Sequence, residues 1–331
     1  MIIETRAYAR AGLLGNPSDG YFGKTIAISV RNFGASVTLW PSPELHIEPQ
    51  PADSSTFRSV FHLREAVGLT GYHGGIPLIK ASIKKFVEYA EAQNWRLPNR
   101  NFSIRYRTSI PRQVGLAGSS AIVVATMRAL MQFYEVDIPL ERLPTLVLQA
   151  ETEELGITAG LQDRVIQCYE GCMYMDFDRT LIEKQGFGRY ESLDPRRLPK
   201  LYIAYKTALG KVSGQVHNDV RARWEKGDAH VVSTLQQIAG VAEEGRRVIE
   251  ESDATALPEL INRNFDLRRQ IMNISEANLA LVETARRLGA SASFTGSGGS
   301  IIGMYRDDEM LNRLFIELKK LDARVIKPFI V

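Results

Sequence analysis

An α+β or α/β protein of two domains is what this sequence predicts, and three observations predict it. Strand-like and helix-like segments alternate in both halves of the chain. At 331 residues it is longer than the roughly 250–300 residues that one hydrophobic core usually serves. A turn-rich piece through Gly186, Gly188, Pro195 and Pro199 separates the halves, which gives domains at 1–195 and 196–331.

The elements follow in order. Residues 25–39, rich in β-branched and aromatic side chains, read as two strands meeting near Asn32-Phe33-Gly34. Pro41, Pro43, Pro49 and Pro51 then surround a short strand at Leu45–Ile47. Helical spacing predicts helices at Thr56–Val67 and Leu78–Asn94. Phe102, Ile104 and Tyr106 alternate with Ser103, Arg105 and Arg107, the pattern of a half-buried strand. Helices at Ala121–Tyr134 and Glu141–Leu155 follow. Small residues at 156–160 break the pattern before another helix from Leu161, and residues 171–182 read as a strand. The second half opens with the strand Leu201–Tyr205 and continues with two or three long amphipathic helices over 213–289. A strand, glycine loop and strand at Ala292–Tyr305, a helix at Asp307–Leu321 and a strand at Ala323–Val331 close the chain.

Composition excludes several function classes. A net charge of +3, from 41 basic against 38 acidic residues, gives no nucleic-acid or membrane surface. The dibasic pairs, such as Lys84-Lys85 and Arg246-Arg247, are scattered over helix faces. Cys168 and Cys172 share a face if helical, but without neighbouring histidines they make a poor metal site and suit burial. The N-terminus lacks the apolar core of a signal peptide, no segment reaches membrane-spanning length, and a cytoplasmic location is the expectation. Nothing marks a protein partner.

The chemistry concentrates in Pro111-Arg112-Gln113-Val114-Gly115-Leu116-Ala117-Gly118-Ser119-Ser120-Ala121. Glycines let a ligand approach the backbone, and the following helix aims unpaired N–H groups and a positive dipole end at it. These are the parts of a nucleotide phosphate site with two hydroxyls beside it. An ordinary Gly/Ser turn capping a helix fits the same residues.

Two further segments decide the matter by resemblance. Ala9-Arg10-Ala11-Gly12-Leu13-Leu14-Gly15-Asn16-Pro17-Ser18-Asp19 resembles the first motif of the GHMP kinases, and Phe294-Thr295-Gly296-Ser297-Gly298-Gly299-Ser300 resembles their third. The central stretch is similar to their nucleotide-binding motif, with Ala117 where glycine is usual. Gly-Asn-Pro-Ser-Asp followed by Tyr21-Phe22-Gly23-Lys24-Thr25 resembles the plant-type glucuronokinases, as does Ser213-Gly214-x-Val216-His217 with Arg221 and Trp224 beyond it. Those enzymes phosphorylate the anomeric hydroxyl of D-glucuronate.

The resemblance implies a two-domain α+β GHMP kinase fold. Its nucleotide-binding N-terminal domain would carry a left-handed β-α-β unit, its C-terminal domain would be an α/β sandwich, and ATP and sugar would meet in the cleft. It implies ATP bound by Pro111, Gly115, Leu116, Ala117, Gly118, Ser119, Ser120 and Ala121. Magnesium would be held by Ser120 and Glu151. Asp163, twelve residues beyond Glu151, falls to the role of catalytic base or orienter, with Arg10 beside the acceptor oxygen. Asp19 and Asn16 fall on the sugar, and Gly296 and Gly298 on a loop that reaches the substrate. A glucuronate carboxylate needs a cation, for which Lys24 and Arg164 stand nearest in sequence; both also fit plain surface charges. Glu153 and Glu154 read as a solvated helix face. The resemblance leaves other monosaccharides open as substrates (galacturonate, galactose or a heptose), and also a non-catalytic sugar and nucleotide sensor of the same fold.

Overall fold

The computed structural model describes residues 1–50, 53, 74–207, 214–251 and 255–331, the side chains of 214–218 excepted. The expected helix at Thr56–Val67 lies outside the described residues, as do Ser213 and the side chains of the rest of the Ser213–His217 string. Two compact units emerge, each drawn from separate segments. Met1–Ala9, Phe33–Ile110 and Ala117–Cys168 make the first; Arg10–Asn32, Pro111–Leu116 and Tyr169–Val331 make the second.

In the first unit, strand β1 (Ile3–Leu14) begins with inward Ile3, Thr5, Ala7 and Ala9. The long strand β2 (Lys24–Pro41) pairs with β1. Where two strands were expected to meet at Asn32-Phe33-Gly34 there is one, because its ends find different partners. Its second half pairs antiparallel with β4 (Phe102–Thr108), Ala35 opposite Thr108 and Pro41 opposite Phe102. The short β3 (His46–Ile47) lies parallel on the far side of β4. Helices α1 (Gly75–Ala92), α2 (Gly118–Tyr134), α3 (Leu143–Thr152) and α4 (Gln162–Tyr169) complete the unit. Helix α2 is apolar around most of its circumference, as a central helix must be, burying Ile122, Val123, Met127, Leu130 and Phe133. Phe133 meets Phe102 edge to face at 5.1 Å.

In the second unit, the first half of β2 pairs antiparallel with β5 (Cys172–Asp176), which pairs in turn with β6 (Arg189–Leu193). Residues 171–182, expected as one strand, instead divide between β5 and helix α5 (Arg179–Gln185). The Asp178 carboxylate caps α5 by accepting from Leu181 N, and Gly186 closes it at φ 83°. Cys168 therefore ends a helix and Cys172 opens a strand, both buried and free, so they share no helical face. An antiparallel sheet runs in the order β10 (Ala323–Ile326), β7 (Leu201–Lys206), β9 (Ser300–Met304), β8 (Ser293–Phe294). Among the described residues the long helical stretch resolves into four helices, α6 (Gly214–Glu225), α7 (Ala229–Glu250), α8 (Leu257–Ile271) and α9 (Glu276–Arg287), with α10 (Asp308–Lys319) before the last strand. Tyr202, Phe265, Leu281, Phe294, Ile301 and Leu314 lie in the core between helices and sheet.

Candidate active site

All three sequence motifs contribute to one knot of contacts inside the second unit. Arg10 lies on β1 with only 4% of its surface exposed, so it is no surface charge. Its Nη1 donates to the Gly115 carbonyl at 2.6 Å and to the Thr295 carbonyl at 2.9 Å. Thr295 Oγ1 donates to the same Gly115 oxygen at 3.1 Å, and the Ser300 hydroxyl to the Val114 oxygen. Gly115 sits at φ +72°, and a side chain there would meet the Gly298 carbonyl at 2.8 Å. The Asn278 amide oxygen accepts from Gly299 N at 3.1 Å, holding the glycine loop from α9. Gly296–Gly299 is thus a packed loop whose shape the other two motifs depend on.

The first unit carries the remaining chemistry. Ala117 stands in the left-handed region at φ 58° and hands the chain to α2, whose first turn has no side-chain cap. Its N–H groups are therefore open to an anion. Gln167 Nε2 donates to the Ala117 carbonyl at 2.8 Å and to the Tyr8 carbonyl at 3.0 Å, fixing that turn from α4. Ser119 Oγ donates to Glu151 Oε1 at 2.7 Å, while Ser120 Oγ donates back to the Ala117 oxygen at 3.3 Å. Donating its one proton leaves the Ser120 oxygen both lone pairs.

Glu151 is fully buried at the end of α3, and this is where the expected carboxylates separate. Arg164 Nε donates to Glu151 Oε2 at 2.8 Å and Nη2 grips the same oxygen, making a buried ion pair. Arg164 Nη1 turns to the Gly160 carbonyl at 2.9 Å and stands 3.5 Å from Asp163 Oδ2. With 3% exposure and its fork spent on protein acceptors, Arg164 is placed to orient Glu151 and Asp163. Asp163 keeps a partly exposed carboxylate in the first turn of α4. Glu153 and Glu154, expected on a solvated helix face, lie in the turn just beyond the end of α3, paired with Lys85 and Lys84.

The first motif's polar side chains also have partners. Asn16 Oδ1 accepts from Arg268 Nη1 at 2.9 Å, and Asn264 bridges Gly15 N and the Asn16 carbonyl at 2.7 and 3.2 Å. Arg268 is 1% exposed; burial lowers its pKa to about 10, with the charge of Asp19 opposing that fall. Asn264 and Arg268 occupy successive turns on one face of α8 and were not among the residues expected here. Their spacing of four is the signal the sequence offers. Lys24 ion-pairs with Glu243 at 3.0 Å. Burial works against its charge, but the hydrogen bond to Glu243 and the Tyr174 and Asp176 charges win and hold its pKa above the usual value.

Among the described residues no cluster of three or more His, Cys, Asp or Glu could hold a metal on its own. Glu151 with the Ser119 and Ser120 hydroxyls offers hard oxygen donors only. That set fits a magnesium ion which shares its coordination with nucleotide phosphates. No helix among the described residues is long and apolar enough to cross a membrane.

Residues 77–171 match the GHMP kinases N terminal domain and residues 246–320 the GHMP kinases C terminal domain. Glucuronokinase 1 of Arabidopsis thaliana is 45% identical over 306 residues, 91% of this chain and 84% of that protein. Probable glucuronokinase 2 of the same plant is 45% identical over 99% of this chain and 91% of its own length. Lactococcus lactis galactokinase, solved in complex with galactose, superposes with a TM-score of 0.76 at 15% identity, over 99% of this chain and 93% of its own.

Proposed function

The chain belongs to the GHMP kinase family, and we propose that it transfers the γ-phosphoryl group of ATP to the anomeric hydroxyl of D-glucuronate, giving glucuronate 1-phosphate and ADP. One observation carries the substrate: 45% identity to two plant glucuronokinases over nearly the whole chain. The buried Glu151–Arg164 pair beside Asp163 supports phosphoryl transfer over mere binding, since a binder has no use for an oriented carboxylate.

Phosphoryl transfer rests on positioning and charge stabilisation. The uncapped first turn of α2 and the loop from Gly115 to Ser120 receive the phosphates. Glu151 and Ser120 would hold magnesium, with Ser119 keeping Glu151 in place; the ion would neutralise charge on the nucleotide phosphates. Asp163 takes the proton of the sugar O1 hydroxyl or orients it as the O1–phosphorus bond forms and the bond from the γ-phosphorus to the bridging oxygen breaks. The anomeric hydroxyl is more acidic than an ordinary alcohol, because the ring oxygen withdraws electron density, so modest basicity suffices. Arg10, pinned by two carbonyls, supplies a fixed positive charge for the developing alkoxide. Asp19 accepts from adjacent ring hydroxyls. The enzyme acts on small molecules in the cytoplasm.

ADP release with magnesium across a panel of uronic acids and neutral hexoses tests the proposal. The expected result is a kcat/KM for D-glucuronate well above every neutral sugar; a neutral sugar turned over faster would replace the substrate and keep the kinase.

A further inference from the structure

A cavity of about 420 Å³ opens within the second unit, directly beyond the first motif. Its aromatic wall is Tyr21, Phe22 and Trp224. The Trp224 ring meets Tyr21 edge to face at 5.4 Å and lies tilted 6.1 Å from Phe22. Arg179, the first residue of α5, spreads its guanidinium over Phe22 at 4.4 Å, with Trp224 5.8 Å away. Lys24 lines the same space, but Glu243, another lining residue, already neutralises it at 3.0 Å. Arg179 has no ion-pair partner among the described residues. Its neighbour Asp178 is occupied in capping α5. The cavity thus holds one uncompensated positive charge against an aromatic wall.

That combination selects a particular ligand. Ring faces pack on the apolar C–H face of a sugar, and a guanidinium held over an aromatic ring keeps N–H groups that can fork onto a carboxylate. A neutral hexose has no group for that fork. The cavity also adjoins the sugar-binding turn, because Tyr21 closes the short helical turn Ser18–Tyr21 that carries Asp19. Tyr21 and Asp19 both lie within the electrostatic reach of Arg268, which is hydrogen-bonded to Asn16.

We propose that this cavity receives the carboxylate end of a uronic acid and that Arg179 is the residue that binds it. The assignment rests on the glucuronate reading above and gives it a structural cause. The carboxylate contact expected of Lys24 or Arg164 passes to a residue more than 150 positions beyond the first motif.

Steady-state kinetics of wild type, Arg179→Gln and Arg179→Lys on D-glucuronate and on its uncharged amide, D-glucuronamide, test this. Loss of a charge-assisted fork raises KM for glucuronate about ten- to hundredfold in Arg179→Gln, with KM for ATP unchanged. The preference for glucuronate over the amide shrinks by the same factor, and Arg179→Lys recovers part of it. An Arg179→Gln enzyme with wild-type KM for glucuronate, or one equally impaired on acid and amide, overturns the assignment while the substrate stands. A wild type that phosphorylates neutral sugars and not glucuronate overturns both.

Discussion

A β-carbon on Gly296 would lie 2.9 Å from both terminal nitrogens of Arg10 and 2.5 Å from the Gly115 carbonyl. The glycine loop therefore sets where the Arg10 charge can sit. Arg10 cannot withdraw without giving up the Gly115 and Thr295 carbonyls that hold it. Gly296→Ala is expected to lower stability by about 1–3 kcal/mol through overpacking. It is also expected to cut kcat by about a hundredfold, because a charge displaced by an ångström no longer meets the transition state. Denaturant melts and initial rates measure the two effects separately; wild-type kcat in this variant would remove Arg10 from the chemistry.

Removing Arg164 leaves Glu151 as an unpaired charge in a fully buried place. Arg164→Ala should cost about 3–5 kcal/mol, read from urea unfolding. Adding Glu151→Gln to that variant should restore part of the loss, because the stranded charge is gone. A single-variant loss under about 1 kcal/mol would contradict the buried pair.

Asp163→Asn keeps the shape of α4 and removes only the carboxylate charge. Turnover should fall by about 10²–10⁴-fold, while calorimetric ATP affinity stays close to wild type. Turnover at the wild-type rate would take Asp163 out of the mechanism.

Burial raises the Cys172 thiol to about 12, and Cys168 is 4% exposed. The thiolate is the reactive form, so a chromogenic disulfide reagent at pH 8 should leave the native protein unlabelled. In denaturant both of the chain's 2 cysteines should react. Rapid native labelling would show the thiols to be accessible.

Much of this was legible in the sequence, and the failures have physical causes. Helix α2 declared itself through a largely apolar run, and the three motifs through their order along the chain. Strand β1 did not, because its inward positions Thr5, Ala7, Ala9 and Ala11 are too small to give an alternating hydrophobic signal. Helix α5 hid inside a segment read as strand, although Asp178 and Gly186 bracket it as its caps. Arg164 was read from its place beside Asp163, whereas its direction was set by Glu151 thirteen residues earlier. Arg268 and Asn264 lie some 250 residues from the loop they hold, a pairing that only the folded chain creates.

The central claim is phosphorylation of glucuronate at its anomeric oxygen, and NMR of the product tests it most directly. Purified protein with ATP, magnesium and D-glucuronate should yield a phosphorus resonance coupled to the anomeric proton, as glucuronate 1-phosphate requires. Phosphate on any other oxygen, or ATP consumed only with a neutral sugar, would contradict it.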